Sequence, residues 1–209
     1  MILMRLATIL VAAGVGGQAM AEDVGTVLGL TGPHGVNLGT WSMDGDLVAP
    51  ADLFIQPDVA ATGVPVPHRT PQAFTRQTPE TGAHAILALV FSDAPVSCAE
   101  EVGTFPLDTS MAAFMTGPDA DALYAYGESI AETGEDPAQF TGNPLGPDHA
   151  TMIMLPNGAT FPAAAVQFEG DFPLYAFYDA DGELTALAGL FGLEIRYGPD
   201  LPPCTAPIS

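Results

Sequence analysis

The sequence predicts an α+β domain that is mostly antiparallel β, with one main helix, following a signal peptide. Three observations lead to this prediction. The 209-residue chain contains 20 prolines and 23 glycines, which indicates many turns and few long helices. Short apolar runs are separated by turn sequences such as Asn157-Gly158, a pattern typical of β-hairpins. Only residues 118–133 combine apolar residues at helical spacing with signals for the start and end of a helix.

Residues 1–21 have the pattern of a secretory signal peptide. Arg5 precedes an apolar run, Leu6–Val15, and Ala19-Met20-Ala21 is a typical cleavage sequence. The run is too short to span a bilayer, which takes about 20 residues. We therefore expect an extracytoplasmic protein, periplasmic or secreted, with no membrane insertion after cleavage. The residue directly after the cleavage sequence is Glu22 and not a cysteine, so we expect no lipid anchor.

The first half of the remaining chain is predicted to contain short strands and loops. Residues 22–40 form an N-terminal extension with one candidate strand at Val24–Leu30. Residues 57–79 contain five prolines, which is typical of an extended surface loop. His84–Phe91 is a continuous apolar run of the length expected for a buried strand. Phe105–Asp108 is strand-like, and Thr109–Met115 is predicted to form a helical turn.

The main helix, about residues 118–133, is followed by two predicted hairpins. Within the helix, Leu123, Tyr126 and Ile130 recur at helical spacing. Residues 137–147 are expected to form a loop. A strand at Ala150–Leu155 then leads into the Asn157-Gly158 turn and a returning strand.

The second hairpin has an acidic turn at Asp179–Gly182. A helix-loop-helix calcium site needs oxygen ligands at loop positions 1, 3, 5 and 12 and glycine at position 6. Aligning Gly182 with position 6 puts Phe177 at position 1 and Ala188 at position 12, and neither can coordinate through its side chain. The flanking residues also alternate like strands. We therefore interpret this segment as a hairpin turn.

The two cysteines, Cys98 and Cys204, are predicted to form a disulfide. An even pair in an exported protein favours this pairing. A reactive thiol would need a positive neighbour or a base to lower its pKa, whereas Glu100 and Glu101 lie close in sequence. The bond would attach a proline-rich tail, residues 198–209, to the rest of the chain.

The charge of the chain excludes some partners. There are 25 acidic residues against four arginines and no lysine, which gives a formal net charge of −21. Such a surface repels phosphate backbones, so we expect no nucleic-acid binding. The acidity suits either solubility in a salt-rich medium or a surface for cations or basic partners. The partner itself is not predicted.

The candidate site residues are four residues for catalysis and one for binding. Glu169 and Asp171, two residues apart just before a predicted strand, could together with Asp108 divide acid and base roles or hold a divalent cation, and Tyr175 lies on that strand. Arg76 could pair with a carboxylate of the chain or recognise a carboxylate of a ligand. We expect no zinc site, because no two histidines have ligand spacing. Ca²⁺ is the one cofactor that the paired acids could bind.

Four segments in order give the chain a family resemblance. They are "GDLVAPADLFI", "AFTRQTPETGAHAILALVF", "FPLDTSMAAFM" and "EGDFPLYAFYDADGELTAL". In this order they resemble the uncharacterised family known as domain of unknown function 4241. The resemblance implies a shared, mostly β fold over residues 41–197. It implies no catalytic residue.

No complete catalytic motif is visible in the sequence. No G-x-S-x-G sequence and no phosphate-binding glycine loop occurs in the mature part. The leading functional prediction is an extracytoplasmic binding or interaction module that is not an enzyme. The alternative is a hydrolase that uses carboxylates, with or without a metal ion.

Overall fold

A computed structural model describes residues 22–67, 70–133, 149–192 and 201–205. The predicted signal peptide (1–21) and the predicted loop at 137–147 lie outside these ranges. Of the predicted tail, residues 201–205 are described. Within the described part, no helix is both long enough and apolar enough to cross a membrane.

The described residues form two antiparallel sheets and three helices, which confirms the predicted α+β class. The bounds are α1 Val24–Val27, β1 Gly35–Thr40, β2 Leu47–Asp52, α2 Val59–Thr62, β3 Val64–Pro65, β4 Gln72–Gln77, β5 His84–Val90, β6 Cys98–Leu107, β7 Met111–Met115, α3 Gly117–Thr133, β8 Ala150–Met154, β9 Thr160–Ala165, β10 Gly170–Tyr178 and β11 Leu184–Leu190. One sheet has six strands in the order β1-β4-β5-β11-β10-β6, and the other has five in the order β3-β2-β7-β9-β8.

The two sheets share one large core. Strand β5 shows how the pleat divides its side chains, because successive residues point to opposite faces. Leu87 and Leu89 join the core that also contains Phe114 and Phe161 of the five-stranded sheet. Ile86 and Ala88 face the other way, into a smaller cluster. The six-stranded sheet is therefore buried on both faces around β5.

The N-terminal segment covers the outer face of the six-stranded sheet. The strand predicted at Val24–Leu30 is wrong, because α1 occupies Val24–Val27. The Asp23 carboxylate accepts a hydrogen bond of 2.8 Å from the Thr26 N–H and caps the helix. Leu28 and Leu30 then bury their side chains in the smaller cluster. Strand β1, at the end of this segment, pairs with β4.

Two other local predictions are wrong because tertiary pairing decides the structure. Within the predicted loop 57–79, β4 lies between β1 and β5 and buries Ala73 and Thr75. The helical turn predicted at Thr109–Met115 is instead strand β7, which pairs with both β2 and β9. Short apolar runs carry no clear period, so their partners determine whether they become helix or strand.

The buried strand, the main helix, both hairpins and the disulfide are confirmed. Gly158 and Gly182 lie in the two hairpin turns with φ of 91° and 81°, a conformation that favours glycine. Cys98 and Cys204 are bonded across a sequence separation of 106 residues. Next to the disulfide, the Ala99 N–H donates to the Pro202 carbonyl at 3.2 Å, so the tail pairs with β6.

Candidate functional site

The three candidate acids lie at the end of the β6–β10 pair. Leu107 is paired with Gly170 and Pro106 with Asp171, which places Asp108 and Glu169 just beyond the ladder. The side chains of Asp108, Glu169 and Asp171 are all exposed. The described residues contain no group of three or more His, Cys, Asp or Glu side chains that could hold a metal ion. The register therefore brings the acids near one another but does not enclose them.

Tyr175 lies away from the acids. It follows Asp171 by four residues on β10, a separation of about 13 Å at 3.3 Å per residue. Burial, and then the charge of Glu101, raise the pKa of Tyr175 above its ordinary value of 10.0. The phenol is therefore protonated at neutral pH and is poorly suited to act as a base.

Arg76 lies on a different part of the six-stranded sheet. Its strand, β4, is separated from β10 by β5 and β11, a distance of about 14 Å across three strand spacings. The guanidinium Nη1 donates to the Leu28 carbonyl at 3.3 Å. Arg76 thus helps to fasten the N-terminal segment to the sheet. The described structure does not combine Arg76 with the candidate acids in one pocket.

The acidic turn of the second hairpin is explained by its own backbone. The Asp179 carboxylate accepts hydrogen bonds from the N–H groups of Asp181 and Glu183, each at 2.9 Å. An aspartate that bonds the backbone two residues ahead is typical turn chemistry. This arrangement accounts for the Asp179–Gly182 sequence without a ligand.

A buried carboxylate that the sequence does not reveal as important is Asp52. Its side chain is 3% exposed. One oxygen, Oδ2, accepts from the N–H groups of Asp108 and Thr109 at 2.7 and 2.8 Å. The other, Oδ1, accepts from the Thr109 hydroxyl at 2.6 Å and from the Phe54 N–H at 3.0 Å. Asp52 therefore fixes both the β6–β7 turn and the start of the segment that follows β2.

That segment, Leu53–Pro57, forms one wall of an apolar groove, and α3 forms the other. We call it the α3 groove. Its volume is about 300 Å³, which is at the lower end of the range for small-ligand sites. The apolar and aromatic side chains that line it include Leu53, Phe54, Pro57, Leu123, Tyr124 and Ile130.

The rim of the α3 groove is unusually apolar for an exposed surface. Among the described residues, five large hydrophobic side chains are exposed. Two of them, Phe54 and Tyr124, line the groove, and a third, Ile55, follows Phe54 in the sequence. Phe54 is 45% exposed and Tyr124 is 52% exposed. Exposed apolar groups that cluster beside a concave surface mark interaction sites more often than isolated ones do.

The charged groups at the α3 groove and in the depression beside it are acidic. Glu128 lines the groove, and its hydrogen bond and charge raise the pKa of Tyr124 above 10.0. A neighbouring depression between α2 and α3 contains Asp58 and Asp121. The Gln56 amide donates to the Asp121 carboxylate at 3.5 Å. None of the residues lining either depression is basic.

The helix itself begins with a reciprocal capping pair. The Asp119 carboxylate accepts from the Thr116 N–H at 3.1 Å and from the Thr116 hydroxyl at 2.6 Å. The Asp119 N–H points back to the Thr116 hydroxyl at 3.4 Å, which completes a capping box. Burial raises the pKa of Asp119, and the hydrogen bonds from Thr116 partly oppose this rise. The capping pair fixes the start of α3 and with it one wall of the groove.

The sequence does not predict the α3 groove, because the two walls come from segments far apart in the chain, Leu53–Pro57 and α3. The one local signal is "LFIQP", in which apolar residues continue past the end of β2 into a proline-containing loop.

No protein-family model, curated protein or solved structure matches the chain. The resemblance to domain of unknown function 4241 therefore stays a prediction.

Proposed function

We propose that this protein is a non-catalytic, extracytoplasmic interaction module that binds an apolar group of its partner in the α3 groove. The observation that carries the proposal is that Phe54 and Tyr124, both about half exposed, line a concave apolar surface. Leaving these side chains in water costs hydrophobic free energy, about 25 cal/mol per Å² of apolar area, which a bound partner would recover. Export is part of the proposal, supported by the signal-peptide pattern of residues 1–21 and by the Cys98–Cys204 bond.

The alternative, a carboxylate hydrolase, has weaker support. Asp108, Glu169 and Asp171 are exposed, and Tyr175 lies about 13 Å along the strand from Asp171. Acid–base catalysis by carboxylates depends on surroundings that shift their pKa values apart. Nothing encloses these three side chains in the described structure, whereas the α3 groove is a formed concave surface.

The test uses the neutral fluorescent dye N-phenyl-1-naphthylamine, whose emission increases in apolar surroundings. We expect the purified protein to bind the dye and the double variant Phe54→Ser/Tyr124→Ser to bind it about tenfold more weakly, because two aromatic contacts are lost. Both side chains are about half exposed, so the fold should survive their replacement.

The matched control is Met154→Ser on β8. Met154 is 72% exposed and does not line the groove. We expect this variant to bind the dye as the unmodified protein does. If the groove variant and the control bind the dye equally, or if the unmodified protein does not bind it, the proposed function is wrong.

A further inference from the structure

The acidic groups at the α3 groove restrict what can bind there. Asp121, Tyr124 and Glu128 follow one another at helical spacing, so they form a single stripe along the exposed side of α3. The carboxyl-bearing residues at the two ends of the stripe are seven residues apart, which is about 10 Å along the helix. Glu128 lines the α3 groove and Asp121 lines the neighbouring depression, with Tyr124 between them on the helix.

Nothing basic in the described structure neutralises this stripe. Helix α3 contains four acidic residues and no basic one. The described contact of Arg76 is with Leu28, on the outer face of the other sheet. A partner with positive charge would therefore gain attraction at the groove, and a partner with negative charge would be repelled.

The charge also disfavours a second copy of this chain as the occupant. Two copies would bring acidic stripes of chains with formal charge −21 into contact. The open shape of the groove, with aromatic side chains about half exposed at its rim, differs from the enclosed pockets that bury most of a small ligand. It matches the way an interface accepts one anchoring side chain of a polypeptide.

We propose that the α3 groove docks a basic segment of another polypeptide, which inserts an apolar side chain between Phe54 and Tyr124 and places lysine or arginine beside Asp121 and Glu128. This inference rests on the proposed function and adds the class of partner. Arginine or lysine at this position also lies near the Tyr124 ring, where a cation–π contact adds to the attraction.

The probes are three acetylated, amidated hexapeptides with a central Leu-Phe pair flanked on each side by two lysines, two serines or two glutamates. Binding is measured by NMR from the amide shift of Gly127, which lines the groove. At low salt we expect the lysine peptide to bind about tenfold more tightly than the serine peptide, and the glutamate peptide not to bind. At about 0.5 M salt the preference for lysine should shrink to about twofold, because the charges are screened.

Two double variants separate a local effect from the net charge. Asp121→Asn/Glu128→Gln removes the two charges of the stripe on α3, and Glu100→Gln/Glu101→Gln removes two charges from exposed positions on β6. We expect the first variant to bind the lysine peptide about fivefold more weakly than the unmodified protein does, and to bind the serine peptide within about twofold of it. The second variant should bind the lysine peptide with an affinity within about twofold of that of the unmodified protein.

The outcomes distinguish this inference from the proposed function. If the serine and lysine peptides bind equally, or if both double variants weaken the lysine peptide equally, the inference is wrong while the groove remains a binding site. If the small cation 2-naphthylmethylammonium binds more tightly than the lysine peptide, the proposal that the partner is a polypeptide is wrong. If the serine peptide and the neutral dye both fail to bind at Gly127, the proposed function fails as well.

Discussion

Replacing Asp52 by asparagine is the sharpest test of the structure around the α3 groove. The substitution keeps the size of the side chain but replaces one acceptor oxygen by an NH₂ group. Whichever way the amide turns, this group faces at least one N–H donor among Phe54, Asp108 and Thr109. A buried donor without an acceptor costs about 1–3 kcal/mol, and the remaining hydrogen bonds lose the strengthening effect of the charge.

We therefore expect Asp52→Asn to lower the free energy of unfolding by about 2–4 kcal/mol. For a chain of this size, that corresponds to a fall in Tm of roughly 5–15 °C. Urea unfolding at neutral pH, followed by circular dichroism, measures the difference directly.

The control is Asp108→Asn, which makes the same change of charge in the turn that Asp52 holds. The Asp108 side chain is exposed, so we expect a change within about 0.5 kcal/mol. If the two variants lose stability equally, or if Asp52→Asn loses less than about 1 kcal/mol, the role assigned to the Asp52 hydrogen bonds is refuted.

Three further predictions concern other parts of the fold. Folding raises the pKa of Asp119 above 3.8, so the charged carboxylate lowers the free energy of unfolding at any pH above the raised pKa. This loss of stability disappears as the pH falls towards 3.8 and the carboxylate takes up a proton. Asp119→Asn cannot take up this proton, so the difference in urea midpoint between the two proteins should change as the pH falls from the raised pKa to 3.8. If the difference stays constant, the raised pKa of Asp119 is contradicted. Reducing the Cys98–Cys204 bond, which spans 106 residues, should lower the free energy of unfolding by about 2–4 kcal/mol, measured against the Cys98→Ser/Cys204→Ser variant, which should not respond to reductant. Millimolar Ca²⁺ should raise Tm no more than NaCl of matched ionic strength does, and a larger shift would show a metal site.

The features that the sequence predicted correctly are those with local causes. The Asn157-Gly158 and Asp179–Gly182 turns depend on residues that tolerate positive φ or accept backbone hydrogen bonds. Helix α3 has a capping pair at its start and apolar residues at helical spacing. Each of these signals lies within a few residues of the structure that it specifies.

The features that the sequence did not predict depend on distant partners. Strand β7 has the short apolar sequence "MAAFM", and pairing with β2 and β9 makes it a strand. The α3 groove needs Phe54 and Tyr124, which have no relation in the sequence. Asp52 is one of 25 acidic residues, and only its burial beneath the β6–β7 turn distinguishes it. Because the sequence has so many acids, it does not distinguish the buried Asp52 from exposed acids such as Glu169 and Asp171.

The pairing of the tail with β6 also affects how copies of the protein behave towards one another. Strand β6 is at the edge of the six-stranded sheet, and an edge with free N–H and C=O groups can add strands from another chain and so start aggregation. The Ala99 N–H is occupied by the Pro202 carbonyl, and prolines in the tail segment cannot extend the pairing further. The disulfide holds this cover in place, so reduction should expose an edge that promotes aggregation as well as lower stability.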